Sequence, residues 1–251
     1  MFFSKKENNS KNEFILMAAH QLRSPLSNIR WALKLTLAGD FGAVTEEQAK
    51  MLGRAYQSAG SMSGLIDDIL NISKLDEGKL VYNFSPVSIV DLIEKTMQLF
   101  SDEISRKSIQ LIFEKPSLSI SVKGDSEKIK IVLQNLIDNA IRYTPEGGKV
   151  TISLKPDKMF LEVMVSDTGI GIPLNQQKKI FERFFRANNA IEMCPGGSGL
   201  GLFIIKNIIE KHGGRIWFSS LDESARNTLQ SDAGGKENKG TIFHFTLPYN
   251  K

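Results

Sequence analysis

The stretch Asp125-Ser-Glu-Lys-Ile-Lys-Ile-Val-Leu-Gln-Asn-Leu-Ile-Asp-Asn-Ala-Ile-Arg-Tyr143 decides the fold of the larger part of this 251-residue chain. Its apolar residues recur every three or four positions, which is the spacing of a helix with one buried face. The residues on that predicted face are Ile129, Val132, Leu133, Leu136, Ile137, Ala140 and Ile141. A helix with so wide an apolar face needs another layer to pack against, so the stretch predicts a layered domain.

The segments around this helix alternate between strand and helix patterns. Strands are predicted at 80–84, 109–113, 120–122, 149–154, 160–166, 215–219 and 241–247, and further helices at 87–105 and 200–211. The pattern predicts an α/β two-layer sandwich over residues 77–251. Residues 173–199 are irregular apart from a predicted helical piece at 176–184, and the polar stretch 222–239 is predicted to be a mobile loop.

The N-terminal part of the chain predicts a different architecture, an α-helical hairpin. Residues 11–38 and the residues after Thr45 form two amphipathic patterns, joined by a loop at 39–44. The two apolar stripes are Ile15, Ala18, Leu22, Leu26, Ile29 and Leu33, and Leu52, Ala55, Ala59, Met62, Ile66 and Ile69. The sequence Thr45-Glu-Glu-Gln48 matches a capping box, which begins the second helix.

A hairpin of two helices cannot bury two apolar stripes by itself. The domain at residues 1–76 is therefore predicted to pair with a second copy through residues 10–75, as a homodimer with a four-helix bundle.

The bulk composition limits the function classes. Hydrophobic residues make up 41% of the chain and charged residues 24%, which is typical of a globular protein. The net charge of +4 is too small to predict nucleic-acid binding. A single cysteine, Cys194, excludes an internal disulfide and fits a cytoplasmic location. No apolar run approaches the ~20 residues of a membrane helix, so membrane attachment is expected only through segments absent from this chain.

His20 is the candidate reactive residue of the helical hairpin. Steps of seven residues relate it to Glu13, Ser27 and Lys34, a polar stripe opposite the apolar one, so the imidazole is expected to be exposed. Pro25 removes the backbone hydrogen bond to the carbonyl of residue 21 and is expected to bend or loosen the helix nearby. Taken alone, His20 would more often be a surface histidine without a role.

Three polar residues on the helix of the opening stretch suggest a nucleotide site. Asn135, Asn139 and Arg142 are spaced by four and three residues, so they share one face. Carboxamide oxygens are suitable ligands for Mg²⁺, and arginine is suited to phosphate. These three residues alone would also fit a solvated helix face.

Two glycine-bearing segments also suggest a nucleotide site. In Asp167-Thr-Gly169-Ile-Gly171, the glycines allow backbone to approach a flat ligand, and the carboxylate can accept a hydrogen bond from an exocyclic amine. The segment Gly196-Gly-Ser-Gly199-Leu-Gly201 precedes a predicted helix and can offer free N–H groups to phosphate. It lacks the preceding strand of a dinucleotide fingerprint and the Lys-Ser/Thr ending of a P-loop.

Together and in this order, these motifs resemble the sequence boxes of sensor histidine kinases over about residues 11–250. The stretch His20-Gln-Leu-Arg-Ser-Pro-Leu26 resembles the phosphoacceptor box. The N, G1, F and G2 boxes are matched by Asn135–Pro145, Asp167–Gly171, Phe181–Arg186 and Gly197–Leu202.

The resemblance implies a dimerisation and histidine-phosphotransfer domain followed by a Bergerat-type ATP-binding domain, with ATP and Mg²⁺ as cofactors. It implies that Asn139 holds Mg²⁺ with support from Asn135, and that Arg142 and Tyr143 approach the phosphates. Arg186 is implied as a candidate for the γ-phosphate.

The same resemblance assigns the glycine-bearing segments. Asp167 is expected to select the adenine amino group, while Gly169 and Gly171 pass under the base. The phosphates are expected to be bordered by Gly197, Ser198, Gly199, Leu200 and Gly201. Residues 173–198 would then form the ATP lid, whose irregular sequence suits a gate.

The implied activity is ATP-dependent phosphorylation of His20, followed by transfer to an aspartate of a response-regulator receiver domain. Two residues depart from the family pattern: Gln21 replaces an acidic residue, and Ser24 replaces threonine. Ser24 keeps a hydroxyl, so weak phosphatase activity at most is expected. Two alternatives stay open. One is an ATP-binding dimeric scaffold, or pseudokinase; the other is a gyrase-like ATPase, although such enzymes lack a preceding histidine hairpin.

Gln21, the neighbour of His20, is expected to limit the rate of autophosphorylation. An adjacent carboxylate can act as a base, whereas a glutamine carbonyl can only hold the tautomer, and base catalysis is typically worth ~10²–10⁴-fold. Gln21→Glu is therefore expected to accelerate single-turnover autophosphorylation. An unchanged rate in rapid-quench measurements would contradict this account.

Overall fold

The computed structural model describes residues 3–76, 80–117, 120–221 and 240–249 of the chain. It divides into a helical unit, residues 1–81 with 196–198, and an α/β unit, residues 82–195 with 199–251. The predicted mobile loop at 222–239 lies outside the described residues. No helix within the described ranges is both long and apolar enough to span a membrane.

The helical unit is a hairpin of α1 (Phe3–Ala38) and α2 (Glu46–Asp76), as predicted. The capping box is confirmed: the Thr45 N–H donates to Gln48 Oε1 at 2.9 Å, and the Gln48 N–H donates to Thr45 Oγ1 at 3.2 Å. These two bonds satisfy donors that a helix start would otherwise leave unpaired.

The hairpin buries a narrower seam than the sequence pattern predicted. Its buried apolar residues are Ala19, Leu26, Ala59, Ile66 and Leu70. Leu22 and Ile29 belong to the predicted stripe, yet each is more than half exposed within one chain. Met62 of the second stripe is also exposed. The hairpin therefore leaves apolar surface uncovered on both helices.

The α/β unit is built on a five-stranded sheet with the order β2-β4-β5-β7-β6, beside a two-stranded pair of β1 and β3. The strands are β1 (Ser85–Ser88), β2 (Gln110–Glu114), β3 (Ser121–Gly124), β4 (Lys149–Pro156), β5 (Phe160–Asp167), β6 (Ile216–Leu221) and β7 (Gly240–Pro248). The helices are α3 (Ile89–Gln98), α4 (Ser101–Arg106), α5 (Ser126–Tyr143), α6 (Asn188–Met193) and α7 (Gly201–Lys211).

The opening stretch of the sequence forms α5, with its predicted apolar face fully buried. Asp125 caps its first turn by accepting a hydrogen bond from the Lys128 N–H at 3.0 Å. The helix contacts α3, α7 and β5. Because α5 connects the parallel strands β2 and β4, its C-terminus comes to the start of β4. There Val150 pairs with Asp167, the last residue of β5.

The structure corrects the predicted strand at 80–84. Residues 80–84 are irregular, and the strand lies at Ser85–Ser88, paired with β3. The alternating aromatic residues of the linker pack on a histidine instead of entering a sheet. The ring centres of Tyr82 and Phe84 lie 5.6 and 5.0 Å from that of His212.

His212 is a structural residue that precedes Gly213-Gly214. It is buried at the C-terminal cap of α7, with Nδ1 2.7 Å from the Ile208 carbonyl oxygen. Its Nε2 accepts a hydrogen bond from the Asp125 N–H at 3.0 Å. Both ring nitrogens are therefore used within the fold, and the imidazole joins the end of α7 to the start of α5.

Two helix predictions in the α/β unit were wrong in their extent, and α1 of the hairpin begins at Phe3 instead of residue 11. The predicted helix at 87–105 is two helices, because Ser88 caps α3 and the chain turns at Leu99–Phe100. The predicted piece at 176–184 is only a short 3₁₀ turn, Gln177–Lys179. The six-residue α6 was not predicted, because its sequence carries no helical apolar stripe.

Candidate nucleotide-binding site

Asn135, in the second half of α5, packs against Gly201 at the start of α7. Its Nδ2 donates to the Ile131 carbonyl at 3.0 Å, which fixes the carboxamide. A Cβ at position 201 would lie 2.2 Å from Asn135 Oδ1, so a larger residue there would displace the carboxamide. The structure thereby brings together two segments, the predicted N and G2 boxes, that lie 66 positions apart in the sequence.

Asn139 lies one turn further along α5 and is half-buried. Among the described residues, none of the hydrogen bonds involves its carboxamide. The oxygen is thus available as a hard ligand, which fits Mg²⁺. The described residues include no group of three or more His, Cys, Asp or Glu that could hold a metal ion.

Arg142 is held in an ion pair that the sequence reading missed. Its Nη2 lies 2.8 Å from Asp138 Oδ2, one turn back on α5, and both side chains are one-third exposed. Burial raises the pKa of Asp138, and the neighbouring Arg142 guanidinium opposes that shift. The i,i+4 spacing of Asp138 and Arg142 was the available signal. This pairing fixes the guanidinium against the Asp138 carboxylate.

Asp167 ends β5 with one carboxylate oxygen already engaged. Its Oδ1 accepts hydrogen bonds from the Gly169 N–H at 2.8 Å and the Thr241 N–H at 3.1 Å. Both of these backbone bonds go to Oδ1, so Oδ2 can accept a bond from an exocyclic amine of a ligand. Burial raises the pKa of Asp167 to about 6, although the two backbone bonds oppose the shift. The half-buried carboxylate can accept a hydrogen bond from a ligand.

The loop after β5 closes onto the end of α5. The Ile170 N–H donates to the Tyr143 carbonyl at 3.2 Å. A side chain at Gly169 would collide with that carbonyl, so the glycine allows the close approach. Gly171 follows with a left-handed φ of 68°. The predicted N and G1 boxes therefore form one continuous surface.

Sequence reasoning missed two further residues at this corner, Thr241 and Ser220. Thr241 is buried, and its hydroxyl lies 2.9 Å from that of Ser220. Ser220 Oγ also accepts a hydrogen bond from the Ile172 N–H at 2.9 Å. Both residues lie in ordinary strand patterns on either side of the polar stretch 222–239, so nothing in the sequence marked them.

Arg186 binds the carbonyls of its own segment. Its guanidinium donates to the Pro195 carbonyl at 2.8 Å, to the Ala190 carbonyl at 3.1 Å and also to the Cys194 carbonyl. Cys194 and Pro195 follow the end of α6, whereas Ala190 lies within α6 and its carbonyl also accepts from the Cys194 N–H at 3.1 Å. In the structure, the predicted phosphate-binding arginine thus organises the predicted lid.

The glycine-rich segment before α7 is divided between the two units. Gly199, Leu200 and Gly201 belong to the α/β unit, where Leu200 is buried and its carbonyl accepts from Ile204 N–H at 3.0 Å. Gly197 and Ser198 group with the helical unit. The predicted role of Gly197 and Ser198 at the phosphates stays a prediction.

The predicted phosphoacceptor box lies on α1. Gln21, Ser24 and Pro25 are exposed, and the helix continues through Pro25. The backbone of His20 is helical, whereas its side chain lies outside the described residues, so its predicted exposure is untested. Arg23 pairs with Asp67 across the hairpin.

A helical hairpin followed by an α/β sandwich with this corner defines a class of ATP-binding signalling proteins. Residues 124–251 match the histidine kinase-, DNA gyrase B- and HSP90-like ATPase family, and residues 10–78 match the His Kinase A (phospho-acceptor) domain. The chain belongs to this ATPase family, and it is a histidine kinase catalytic core.

Individual relatives agree with this assignment. The sensor histidine kinase WalK of Bacillus subtilis is 32% identical over 98% of this chain, which spans 38% of the length of WalK. The solved catalytic domain of histidine kinase ThkA is 32% identical with a TM-score of 0.54, over 67% of this chain and 99% of that domain. ThkA solved with the response regulator protein TrrA is 25% identical with a TM-score of 0.61, over 100% of this chain and 67% of that one.

The raised pKa of the Asp167 carboxyl predicts that this residue lowers the free energy of unfolding while it supports ligand binding. A raised carboxyl pKa means that the folded state holds the proton more tightly than the unfolded state does, so stability falls as pH rises from about 4 to about 6. A shift of about two pKa units corresponds to roughly 2–3 kcal/mol. Asp167→Asn is expected to raise the free energy of unfolding at pH 7.5 by roughly 1–3 kcal/mol, with the gain vanishing near pH 4.

The same substitution is expected to weaken ATP binding by roughly thirtyfold or more, because the new Nδ2 donor would face the adenine amine, another donor. Urea unfolding between pH 4 and 8 and nucleotide titration measure the two effects. Asp157→Asn, at an exposed site, is the matched control. An Asp167→Asn protein that binds ATP normally would remove Asp167 from base recognition.

Proposed function

We propose that this chain catalyses ATP-dependent phosphorylation of His20 and passes the phosphoryl group to an aspartate of a response-regulator receiver domain. The observation that carries the proposal is the corner where the end of α5 meets Asp167 and the loop after it. The same chain carries the phosphoacceptor motif on α1. A base-reading carboxylate, free amide oxygens and a histidine helix in one chain fit this reaction better than simple ATP hydrolysis.

ATP binding is assigned to residues of the α/β unit. Asp167 Oδ2 would accept the adenine N–H, with the carboxylate oriented by the Gly169 and Thr241 N–H groups. Asn139, supported by Asn135, would hold Mg²⁺, which offsets phosphate charge when bound. Arg142 and Tyr143, at the end of α5, would border the phosphates.

Arg186 would contact the γ-phosphate only after it releases the carbonyls that it now binds. A guanidinium binds phosphate oxygens with charge-assisted hydrogen bonds, which are stronger than those to neutral carbonyls. This exchange would reshape residues 188–195 when the triphosphate arrives.

In the chemical step, a neutral ring nitrogen of His20 attacks the γ-phosphorus in line, the P–N bond forms, and the bond to the β,γ-bridging oxygen breaks with ADP as the leaving group. The exposed Gln21 can accept a hydrogen bond from the other ring N–H through its carbonyl, which fixes the tautomer. It cannot take up the proton, so the proton must leave to water. This is the physical reason for a slow kinase.

Phosphoryl transfer to a receiver domain is supported by relatives. ThkA was solved together with the response regulator protein TrrA, and the alignment with that structure covers 100% of the present chain. The chain spans less than two thirds of the length of WalK.

Homodimerisation is the second part of the proposal. Leu22, Ile29 and Met62 are each more than half exposed on the hairpin. An apolar surface of this kind on paired helices is covered when two hairpins form a four-helix bundle.

An ATP-binding scaffold without phosphotransfer is the second candidate, and Gln21 is the observation that favours it. Brief incubation with γ-labelled ATP separates the two. A kinase gives acid-labile, alkali-stable label that is lost in His20→Gln and in the nucleotide-site variant Asp167→Asn. Binding of ATP by the wild type without such label would support the scaffold and contradict the kinase.

Oligomeric state is predicted from the exposed stripe. Sedimentation at micromolar concentration should give a dimer for the wild type, and Ile29→Asp should give a monomer because a carboxylate would be buried in the interface. Lys34→Asp, at an exposed position of the opposite stripe, should remain a dimer. A monomeric wild type would overturn the dimer proposal.

A further inference from the structure

The C-terminus of α5 presents an unusual capping problem. The helix ends at Tyr143, and its cap residue Thr144 has an extended conformation, with φ −88° and ψ 129°. The common ending, a left-handed glycine whose N–H groups bind the last carbonyls, is therefore absent at this helix end. The last carbonyls of α5 need other donors, since unpaired carbonyls in a half-buried position are costly.

Lys107 supplies most of those donors. Its Nζ lies 2.9 Å from the Ile141 carbonyl oxygen, 2.9 Å from that of Arg142 and 3.4 Å from that of Thr144. The ammonium group therefore sits directly on the negative end of the 18-residue helix. Lysine has three N–H donors, which matches three acceptors.

The two remaining carbonyls of this turn have their own partners. Thr144 Oγ1 donates to the Ala140 carbonyl at 2.6 Å. The Tyr143 carbonyl accepts from the Ile170 N–H, in the loop after β5. Every carbonyl from 140 to 144 is thus paired, and the bond from Ile170 is the one that reaches the predicted adenine-binding loop.

The backbone of Lys107 is anchored at the same place. Its carbonyl accepts from the Gly147 N–H at 2.9 Å, within the turn that joins α5 to β4. Its own N–H donates to the Glu103 carbonyl at 3.0 Å, which ends α4. Ser108 then takes a left-handed φ of 51°, and the chain turns into β2. The side chain of Lys107 therefore holds the end of α5, and its backbone holds the turn that follows.

We propose that Lys107 is a positioning residue of the nucleotide site, which holds the end of α5 against the loop 169–171. The inference rests on the proposed ATP site. Asn139, Arg142 and Tyr143 lie on the last turns of α5, whereas Asp167 precedes the loop. Lys107 touches neither the base nor the phosphates in this account. It fixes the spacing between the residues assigned to each.

Lys107→Met tests the proposal, because methionine keeps an unbranched side chain of similar reach and removes the charge and the donors. Titration with a fluorescent ATP analogue at 10–15 °C should show binding weaker by about tenfold or more. Hydrogen exchange at the Ile170 amide should accelerate by at least about tenfold, because its acceptor turn is loosened. Lys107→Arg, which keeps charge and several donors, should restore affinity to within about threefold.

Lys115→Met is the matched control, since the Lys115 ammonium pairs with Glu94 at 2.8 Å in an exposed position. It should leave affinity and Ile170 exchange unchanged. If Lys107→Met does not fold, Lys107→Gln, which keeps one amide donor group, replaces it under the same criteria. Wild-type affinity or unchanged Ile170 exchange in the folded variant overturns the proposal, as does failure of arginine to rescue it. A wild-type protein without ATP binding would instead overturn the proposed function.

Discussion

The arrangement of the α/β unit depends on the contact between the last turn of α5 and the loop that follows β5. The Tyr143 carbonyl accepts the Ile170 N–H, and Gly169 allows the two backbones to approach. Strand topology makes this contact unavoidable: a helix that connects the parallel strands β2 and β4 must end beside the start of β4. The antiparallel neighbour β5 ends there too. Residues of α5 and of that loop can therefore act on one ligand.

Asp167 sets the local energetics of this corner. An ionised carboxylate in a buried position lowers stability, and two backbone N–H groups offset only part of that effect. The same burial makes the remaining oxygen a stronger and more selective acceptor, because water competes less for it. The neighbouring hydroxyls of Thr241 and Ser220 keep the corner polar without adding charge.

The sequence predicted the elements that carry strong periodicity and the residues that carry motifs. α5, its buried face and its Asp125 cap were predictable because all the relevant interactions are local. The linker at 80–84 was not, because its alternating aromatics imitate a strand but pack on His212, which is 130 residues away from Tyr82. The contacts of Lys107 and Ser220 could not be predicted for the same reason. Their partners are distant in sequence, and a single polar residue produces no periodic pattern. The exposed Leu22 and Ile29 show that an apolar stripe in the sequence does not predict whether the same chain or a second chain covers it.

The register between β6 and β7 is fixed beside Asp167, whose carboxylate accepts a hydrogen bond from the Thr241 N–H. Leu221 pairs with Gly240 and Ser220 with Thr241, while Ser220 Oγ binds the Gly240 carbonyl at 3.0 Å. These bonds hold the two strands together whatever the length of the chain between them. Doubling a flexible connection costs only about 0.6 kcal/mol in closure entropy. A change in the number of residues between Leu221 and Gly240 therefore leaves these strand-to-strand bonds, and the corner at Asp167, intact.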